Sequence, residues 1–142
     1  VCFGHQAIAQ ALGGLVEKSS KGWGLGITSM SFYKKKPWIK SDVNESKIIC
    51  FHQDQVIRAP QNSEILAGNE FCPISSFSID RTVFTIQGHP EFTYKYFYNL
   101  LKIRREIIGL ERYNNVLQKL DKKEHDGKII GKWIINFLEQ NF

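Results

Sequence analysis

The spacing of the apolar residues along this 142-residue chain changes close to Phe92, and after this residue it is helical throughout. Between Leu15 and Phe92, apolar and small residues alternate or form short apolar runs, which is the pattern of strands in a sheet. The predicted strands are 23–28, 47–51, 74–79 and 82–87, with an extended segment beginning at Leu15 and a hairpin at Asp80-Arg81 between the last two strands. Residues 53–60 are predicted to form a turn or an irregular segment.

Apolar residues recur every three or four positions in four other segments, which predicts helices. The predicted helices are 4–13, 93–108, 111–121 and 127–141. Gly13 and Gly14 end the first helix, and Asp126 is the predicted N-cap of the last. Strands mixed with helices predict an α/β layer architecture. A chain of this length without an apparent linker indicates a single domain over 1–142.

The composition narrows the class of protein. The net charge is +5, but the basic residues are dispersed and no motif of a nucleic-acid module accompanies them, so we expect no nucleic-acid partner. No apolar run is long enough to cross a bilayer and no secretory signal is visible, so we expect no membrane partner. The three cysteines lack CxxC spacing, which argues against disulfides or a zinc site and favours the cytoplasm. No cofactor or metal is predicted.

Cys2 lies directly before the first predicted helix, and Gly4 follows two residues later. A helix N-terminus favours a thiolate because its unpaired N–H groups carry partial positive charge. At a sharp elbow, the backbone amide of the following residue, Phe3, points to where an oxyanion would form. Cys2 is therefore a candidate nucleophile. The alternative is a small buried cysteine at the start of a helix.

His89 and Glu91 flank Pro90 directly after an apolar strand. Residues two apart on an extended backbone project to the same face, and a proline keeps the residue before it extended. A carboxylate beside an imidazole holds its tautomer and stabilises the imidazolium. The pair is therefore a candidate base and orienting group for Cys2. The alternative is a loop histidine beside a glutamate that faces solvent.

Three segments together resemble the motifs of a known enzyme family. Residues 1–6, VCFGHQ, resemble the nucleophile motif of the class I glutamine amidotransferases, and residues 87–92, QGHPEF, resemble their histidine–glutamate motif. Residues 51–56, FHQDQV, resemble the segment that lines the glutamine pocket, and residues 21–23, KGW, fit the stand-alone, GMP-synthase-like members. The resemblance extends from residue 1 to about residue 92.

The resemblance implies a flavodoxin-like three-layer sandwich that hydrolyses glutamine to glutamate and ammonia. Cys2 would attack the side-chain carbonyl, His89 would transfer the proton, and Glu91 would orient His89. The N–H of Phe3 would supply one oxyanion donor, and a synthase domain or subunit would accept the ammonia. Contacts to glutamine are implied for Gln6, Phe51, His52 and Gln53.

The chain departs from the family pattern at its start, where only Val1 precedes Cys2. The N-terminal strands, and the glycine-containing loop that gives the second oxyanion donor, are therefore expected to be missing. Loss of one such donor costs about a hundredfold or more in rate. We expect an N-terminally truncated domain that is poorly folded or nearly inactive alone.

Two other functions fit the same residues. A γ-glutamyl peptide hydrolase would use the same Cys–His–Glu site with a different leaving amine. A decayed copy would keep the three residues and act only through binding. Comparison of glutamine with γ-glutamyl peptides separates the two enzymes, and failure of Cys2 to react with a glutamine-mimicking electrophile would favour the non-catalytic module.

Overall fold

The computed structural model describes residues 1–40, 42, 44–120 and 125–140. Within these residues the chain forms seven strands and five helices. The helices are α1 (Phe3–Ala11), α2 (Tyr94–Ile103), α3 (Arg105–Ile108), α4 (Leu110–Lys119) and α5 (Gly127–Glu139). The strands are β1 (Leu15–Lys18), β2 (Gly24–Phe32), β3 (Glu45–His52), β4 (Asp54–Arg58), β5 (Glu64–Gly68), β6 (Ser76–Ile79) and β7 (Val83–Ile86).

A curled antiparallel sheet forms the centre of the molecule, with the strand order β3-β2-β5-β6-β7. Its two edges approach each other, because His89, shortly after β7, forms an antiparallel bridge with Ile49 in β3. Strands β1 and β4 pair separately as an antiparallel ribbon. The curl therefore brings the segment after β7 next to β3, which ends at His52.

The helices bury their apolar faces in three clusters, and this burial is the main favourable contribution to folding. Trp133 of α5 packs in a cluster with residues of β2 and β3. Ala9 of α1 packs with residues of β4 and β6, and Phe97 of α2 packs against β3. None of the described helices is long and apolar enough to cross a membrane.

Several predicted elements are confirmed. The predicted helix 4–13 corresponds to α1, the predicted strands 23–28 and 47–51 correspond to β2 and β3, and the two strands β6 and β7 form the predicted hairpin. Gly14, the residue before β1, lies very close to other backbone groups. A Cβ at this position would lie 2.6 Å from the carbonyl oxygen of Arg58, so glycine allows the end of α1 to contact the end of β4.

Other predictions were wrong in detail. Residues Asp54–Arg58 form β4, not a turn, because this segment pairs with β1, which is distant in sequence. Strand β5 was not predicted. The predicted helix 93–108 is interrupted at Arg104, where ψ is 8°. The predicted helices 111–121 and 127–141 correspond to α4 and α5, and residues 121 and 141 lie outside the described part of the chain.

Asp126 occupies the predicted N-cap position of α5, but its side chain makes no capping bond. Its carboxylate accepts a hydrogen bond of 2.7 Å from the backbone N–H of Lys47, and its own N–H donates to the Lys47 carbonyl at 2.8 Å. The ring of His125 accepts from the N–H of Gly127 at 3.1 Å. The start of α5 is therefore attached to β3.

Candidate active site

Cys2 forms a sharp elbow at the start of α1, next to the end of β7. Its φ of 47° is in the left-handed region, which a residue with a Cβ rarely adopts. Two main-chain bonds hold it there. The N–H of Cys2 donates to the carbonyl of Ile86 at 2.9 Å, and its carbonyl accepts from the N–H of Gln6 at 3.1 Å. The elbow presents the sulfur at the start of the helix, and strain of this kind is typical of functional sites.

The surroundings of the Cys2 thiol act on its pKa in opposite directions. Partial burial raises the pKa most, whereas a hydrogen bond from the N–H of Phe3 lowers it. The carboxylate of Glu91 raises the pKa, and a hydrogen bond from the side chain of Gln87 lowers it. Burial thus holds the thiol in its protonated form unless a nearby base takes the proton.

His89 is held in one orientation by three contacts. Its backbone N–H donates to the carbonyl of Ile49 at 2.7 Å, and its ring stacks on Phe92 with a centroid distance of 3.9 Å. Its Nδ1 lies 2.7 Å from Oε1 of Glu91. Because an ionised carboxylate can only accept, Nδ1 is the donor, and Nε2 of the neutral ring is left as the acceptor.

Exposure differs between the two partners of this pair. The side chain of His89 is 14% exposed, whereas that of Glu91 is 55% exposed. The carboxylate therefore orients the ring while it remains hydrated, so that its electrostatic interaction with the ring is partly screened by water.

An open cleft of about 320 Å³ adjoins Cys2. It is lined by Cys2, Gln6, Lys18, Trp23, Phe51, His52, Gln53 and Asp54. Five of the eight residues predicted for the site are in this set. The other three are Phe3, whose side chain is 78% exposed, and the pair of His89 and Glu91.

His52 supports the wall of the cleft as a neutral ring. Its Nδ1 lies 3.0 Å from the carbonyl oxygen of Asp54, and because a carbonyl only accepts, Nδ1 carries the hydrogen. Burial lowers the pKa of His52, which keeps the ring uncharged. Phe51 packs edge-on against Trp23 with a centroid distance of 5.7 Å. The carbonyl of Gln53 accepts from the N–H of Ser19 at 2.9 Å, which joins this wall to the end of β1.

Gln6 and Gln87 connect the cleft to the nucleophile. Nε2 of Gln6 donates to the carbonyl of Asp54 at 2.7 Å and to Oε1 of Gln87 at 3.1 Å. Nε2 of Gln87 lies 3.6 Å from the sulfur of Cys2. The sequence prediction did not include Gln87 among the site residues. A glutamine at the end of an apolar strand, two residues before His89, was the signal that could have identified it.

The remaining histidine and cysteine side chains near the sheet, those of His5, Cys50 and Cys72, stay uncharged at neutral pH because they are buried. Burial lowers the pKa of His5 to about 3. Burial raises the pKa of Cys50 to about 12 and that of Cys72 to about 11, so both stay as thiols. In the part of the chain that the structure describes, no group of three or more His, Cys, Asp or Glu side chains is placed to hold a metal ion.

The sequence is similar to a γ-glutamyl peptidase and to a subunit of a GMP synthase. γ-Glutamyl peptidase 4 of Arabidopsis thaliana is 31% identical over 149 residues, covering 99% of this chain and 59% of the peptidase. One of the subunits of the glutamine-hydrolysing GMP synthase of Sulfolobus acidocaldarius is 31% identical over 112 residues, covering 75% of this chain and 59% of its own length. The chain thus spans less than two thirds of the length of these relatives.

The fold is similar to that of solved amidotransferases. The crystal structure of a glutamine amidotransferase from Thermotoga maritima matches 98% of this chain and 59% of its own chain, with a TM-score of 0.75 and 15% identity. This likeness confirms the predicted fold class. Residues 1–102 match the family of the class-I glutamine amidotransferases, which is more than half of the chain. The chain therefore belongs to the class I glutamine amidotransferases.

Proposed function

We propose that this chain hydrolyses the side-chain amide of glutamine to glutamate and ammonia, with Cys2 as the nucleophile and His89 as the proton carrier. The observation that carries the proposal is the orientation of His89, whose Nδ1 is held by Glu91 at 2.7 Å so that Nε2 is free to exchange a proton. Geometry of this kind is what a cysteine nucleophile with a raised pKa requires.

The first half of the reaction forms a thioester. His89 takes the proton of the Cys2 thiol, and the sulfur attacks the carbonyl carbon of the substrate. Negative charge develops on the carbonyl oxygen, where the N–H of Phe3 is a candidate donor. The C–N bond then breaks as His89 returns its proton to the leaving nitrogen, and ammonia departs.

The second half releases the acid. A water molecule gives a proton to His89 and attacks the thioester carbon, after which the C–S bond breaks. Glutamate leaves, and the proton on His89 returns to the sulfur of Cys2. The same histidine thus serves as base and as acid in both halves, and Glu91 stabilises the imidazolium each time.

The walls of the cleft suit the substrate end of glutamine. Both hydrogens of the Gln6 amide are engaged, so its Oε1 is the atom that would accept from a substrate N–H. Phe51, His52 and Gln53 would offer backbone and ring contacts from the opposite wall, since all three line the cleft. We propose residues 1–142 as part of one amidotransferase domain.

A γ-glutamyl peptide is the second candidate substrate. The similarity to γ-glutamyl peptidases 3 and 4 of Arabidopsis thaliana, which covers at least 98% of this chain, favours it. Attack on a γ-glutamyl peptide carbonyl is the same acyl transfer with a larger leaving amine. The openness of the cleft beyond Cys2 would leave room for that amine.

The destination of the ammonia depends on which substrate is used. With glutamine, a synthase domain or subunit would accept the ammonia, as the name of the related GMP synthase suggests for that enzyme. With a γ-glutamyl peptide no ammonia would form, because water would accept the glutamyl group and the leaving amine would be released. A reducing compartment such as the cytoplasm would suit either reaction, because Cys2 must remain a free thiol.

Steady-state kinetics on the two substrates test the proposal. In the full-length protein, we expect turnover of glutamine or of a γ-glutamyl dipeptide that Cys2→Ala abolishes and that the matched variant Cys72→Ala retains. A Cys2→Ala variant that is folded and keeps its turnover would overturn the mechanism. The ratio of kcat/KM for the two substrates decides between glutaminase and peptidase.

A further inference from the structure

The orientation of two side-chain amides near Cys2 is fixed by a main-chain carbonyl. The carbonyl oxygen of Asp54 can only accept, so the atom of Gln6 that lies 2.7 Å from it must be the nitrogen. That nitrogen also contacts Gln87 at 3.1 Å, so the atom of Gln87 facing it must be the oxygen. The nitrogen of Gln87 is then the atom that faces the sulfur of Cys2, at 3.6 Å.

Gln87 is also fixed by its own position. Its side chain is 0% exposed, so it cannot exchange these partners for water. Its backbone N–H donates to the carbonyl of Ser75 at 2.7 Å, and it follows Ile86, whose carbonyl binds the N–H of Cys2. One short segment thus supports the nucleophile through Ile86 and Gln87 and carries His89 two residues later.

We propose that Gln87 is a positioning residue of the acyl-transfer site, which donates an amide N–H to the sulfur of Cys2 and is itself oriented by Gln6 and the Asp54 carbonyl. The role of this donor in turnover rests on the function proposed above. The relay runs from the wall of the cleft to the nucleophile, so a ligand that displaces Gln6 from Asp54 would also reorient the donor at the sulfur.

The chemical consequence is a larger thiolate population. A hydrogen bond donated to a sulfur stabilises the anion more than the thiol, and therefore opposes the effect of burial on the pKa of Cys2. The other groups that act on this sulfur include the N–H of Phe3 and the carboxylate of Glu91, and the substitution Gln87→Met removes neither of them.

The pH dependence of alkylation of Cys2 by iodoacetamide measures this effect without any turnover. Mass spectrometry would assign the adduct, and Cys50 and Cys72 are both buried, so they react slowly. In Gln87→Met we expect the midpoint to rise by about one pH unit, and the rate at neutral pH to fall by about tenfold. The Gln118→Met variant, changed in α4 and outside the site, is the control, and its profile should equal that of the wild type.

A second variant keeps the test valid if Gln87→Met does not fold. Gln6→Met leaves Gln87 in place but removes the donor that fixes its orientation, so the midpoint should rise in the same direction by a smaller amount. Gln10→Met, on the same helix, is its control, because the side chain of Gln10 accepts from the N–H of Val16, away from the sulfur. Melting curves establish that each variant is folded.

Unchanged alkylation profiles in folded Gln87→Met, or in Gln6→Met where Gln87→Met does not fold, would overturn the proposal. In turnover, a positioning role predicts a lower kcat with little change in KM. If the wild type turns over neither substrate but the Gln87→Met variant shows the shift in the alkylation midpoint, the proposed function is contradicted and the role of Gln87 stands. If the wild type is active but the variant shows no shift, the role of Gln87 is contradicted and the proposed function stands.

Discussion

Cys2 and Cys50 are both free thiols, yet their surroundings differ in kind. Cys2 is half-buried beside an open cleft, at a helix start, with N–H donors directed at its sulfur. Cys50 lies inside β3, where its sulfur contacts the hydroxyl of Thr28 at 3.2 Å, and burial raises its pKa to about 12. The comparison shows that a cysteine becomes a candidate nucleophile through hydrogen-bond donors to its sulfur and access from solvent, and not through its residue type alone.

The same contrast separates His89 from His5. His89 has a carboxylate on one nitrogen and leaves the other available. Both nitrogens of His5 are engaged inside the core, one with the hydroxyl of Thr85 at 2.8 Å and one with the carbonyl of Ile74 at 3.1 Å. His5 is nearer to Cys2 in sequence, but both of its nitrogens are already occupied. It acts as a connector between α1 and the sheet.

Replacement of His89 in the candidate site and of His5 in the core should give the largest difference in effect, the first on activity and the second on stability. His89→Asn should lower kcat/KM by about a thousandfold or more, because the proton carrier is lost. His5→Phe should leave the chemistry in place and lower the free energy of unfolding by about 1–3 kcal/mol, because buried polar partners are left unsatisfied. Kinetics and urea unfolding of both variants measure this, and the reverse assignment of effects would refute the comparison.

Glu91→Gln should have the next largest effect. The amide can still contact the ring but carries no charge to stabilise the imidazolium, so kcat should fall by about tenfold to a hundredfold, less than for a fully buried triad acid. Glu139→Gln, on the exposed face of α5, is the matched control and should be unchanged. Equal kinetics of the Glu91 and Glu139 variants would remove Glu91 from the mechanism.

The pH dependence of stability should report the interior histidine. Burial lowers the pKa of His5 to about 3, so the unfolded chain binds a proton there before the folded chain does. This contribution to stability is fully present above about pH 6.5 and falls by up to about 1.4 kcal/mol per pH unit as the pH decreases towards about 3. Urea unfolding at several pH values in this range gives the free energy of unfolding as a function of pH. This free energy should depend less steeply on pH in His5→Phe than in the wild type; an identical pH dependence would contradict the assignment.

The smallest effect is expected at Cys50. Cys50→Ala should leave kcat and KM unchanged and lower the free energy of unfolding by about 1 kcal/mol, because only a small buried group is removed. Iodoacetamide labelling of the native protein should proceed at Cys2 and not at Cys50. A loss of turnover in folded Cys50→Ala would show that the two thiols are not functionally separate.

The sequence predicted the elements whose partners are close along the chain. The hairpin of β6 and β7 and the helix α1 are local patterns with recognisable ends. Strand β4 was predicted as a turn because its polar start and short length show no strand pattern without its partner β1. Trp38 and Ile39 lie between the predicted strands 23–28 and 47–51, where no element was predicted, yet both are buried in the same cluster as residues of α5. Contacts of this kind depend on tertiary packing.

The site shows the same division. The spacing of His89 and Glu91 predicted that their side chains would meet, and they are hydrogen-bonded in the structure. The contact between Gln87 and Cys2 joins residues that are 85 positions apart in the sequence, and Gln6 in α1 orients the side chain of Gln87. Contacts between residues so distant in sequence cannot be predicted from local pattern and spacing. The catalytic roles of all these residues remain predictions.

Covalent trapping tests the central claim most directly. The protein would be incubated with a glutamine-mimicking electrophile, and the modified residue would be identified by mass spectrometry in the wild type and in His89→Asn. The account predicts one adduct, on Cys2, which forms much more slowly in His89→Asn because the thiolate is no longer generated by proton transfer. Absence of an adduct, or an adduct on Cys50 or Cys72, would contradict it.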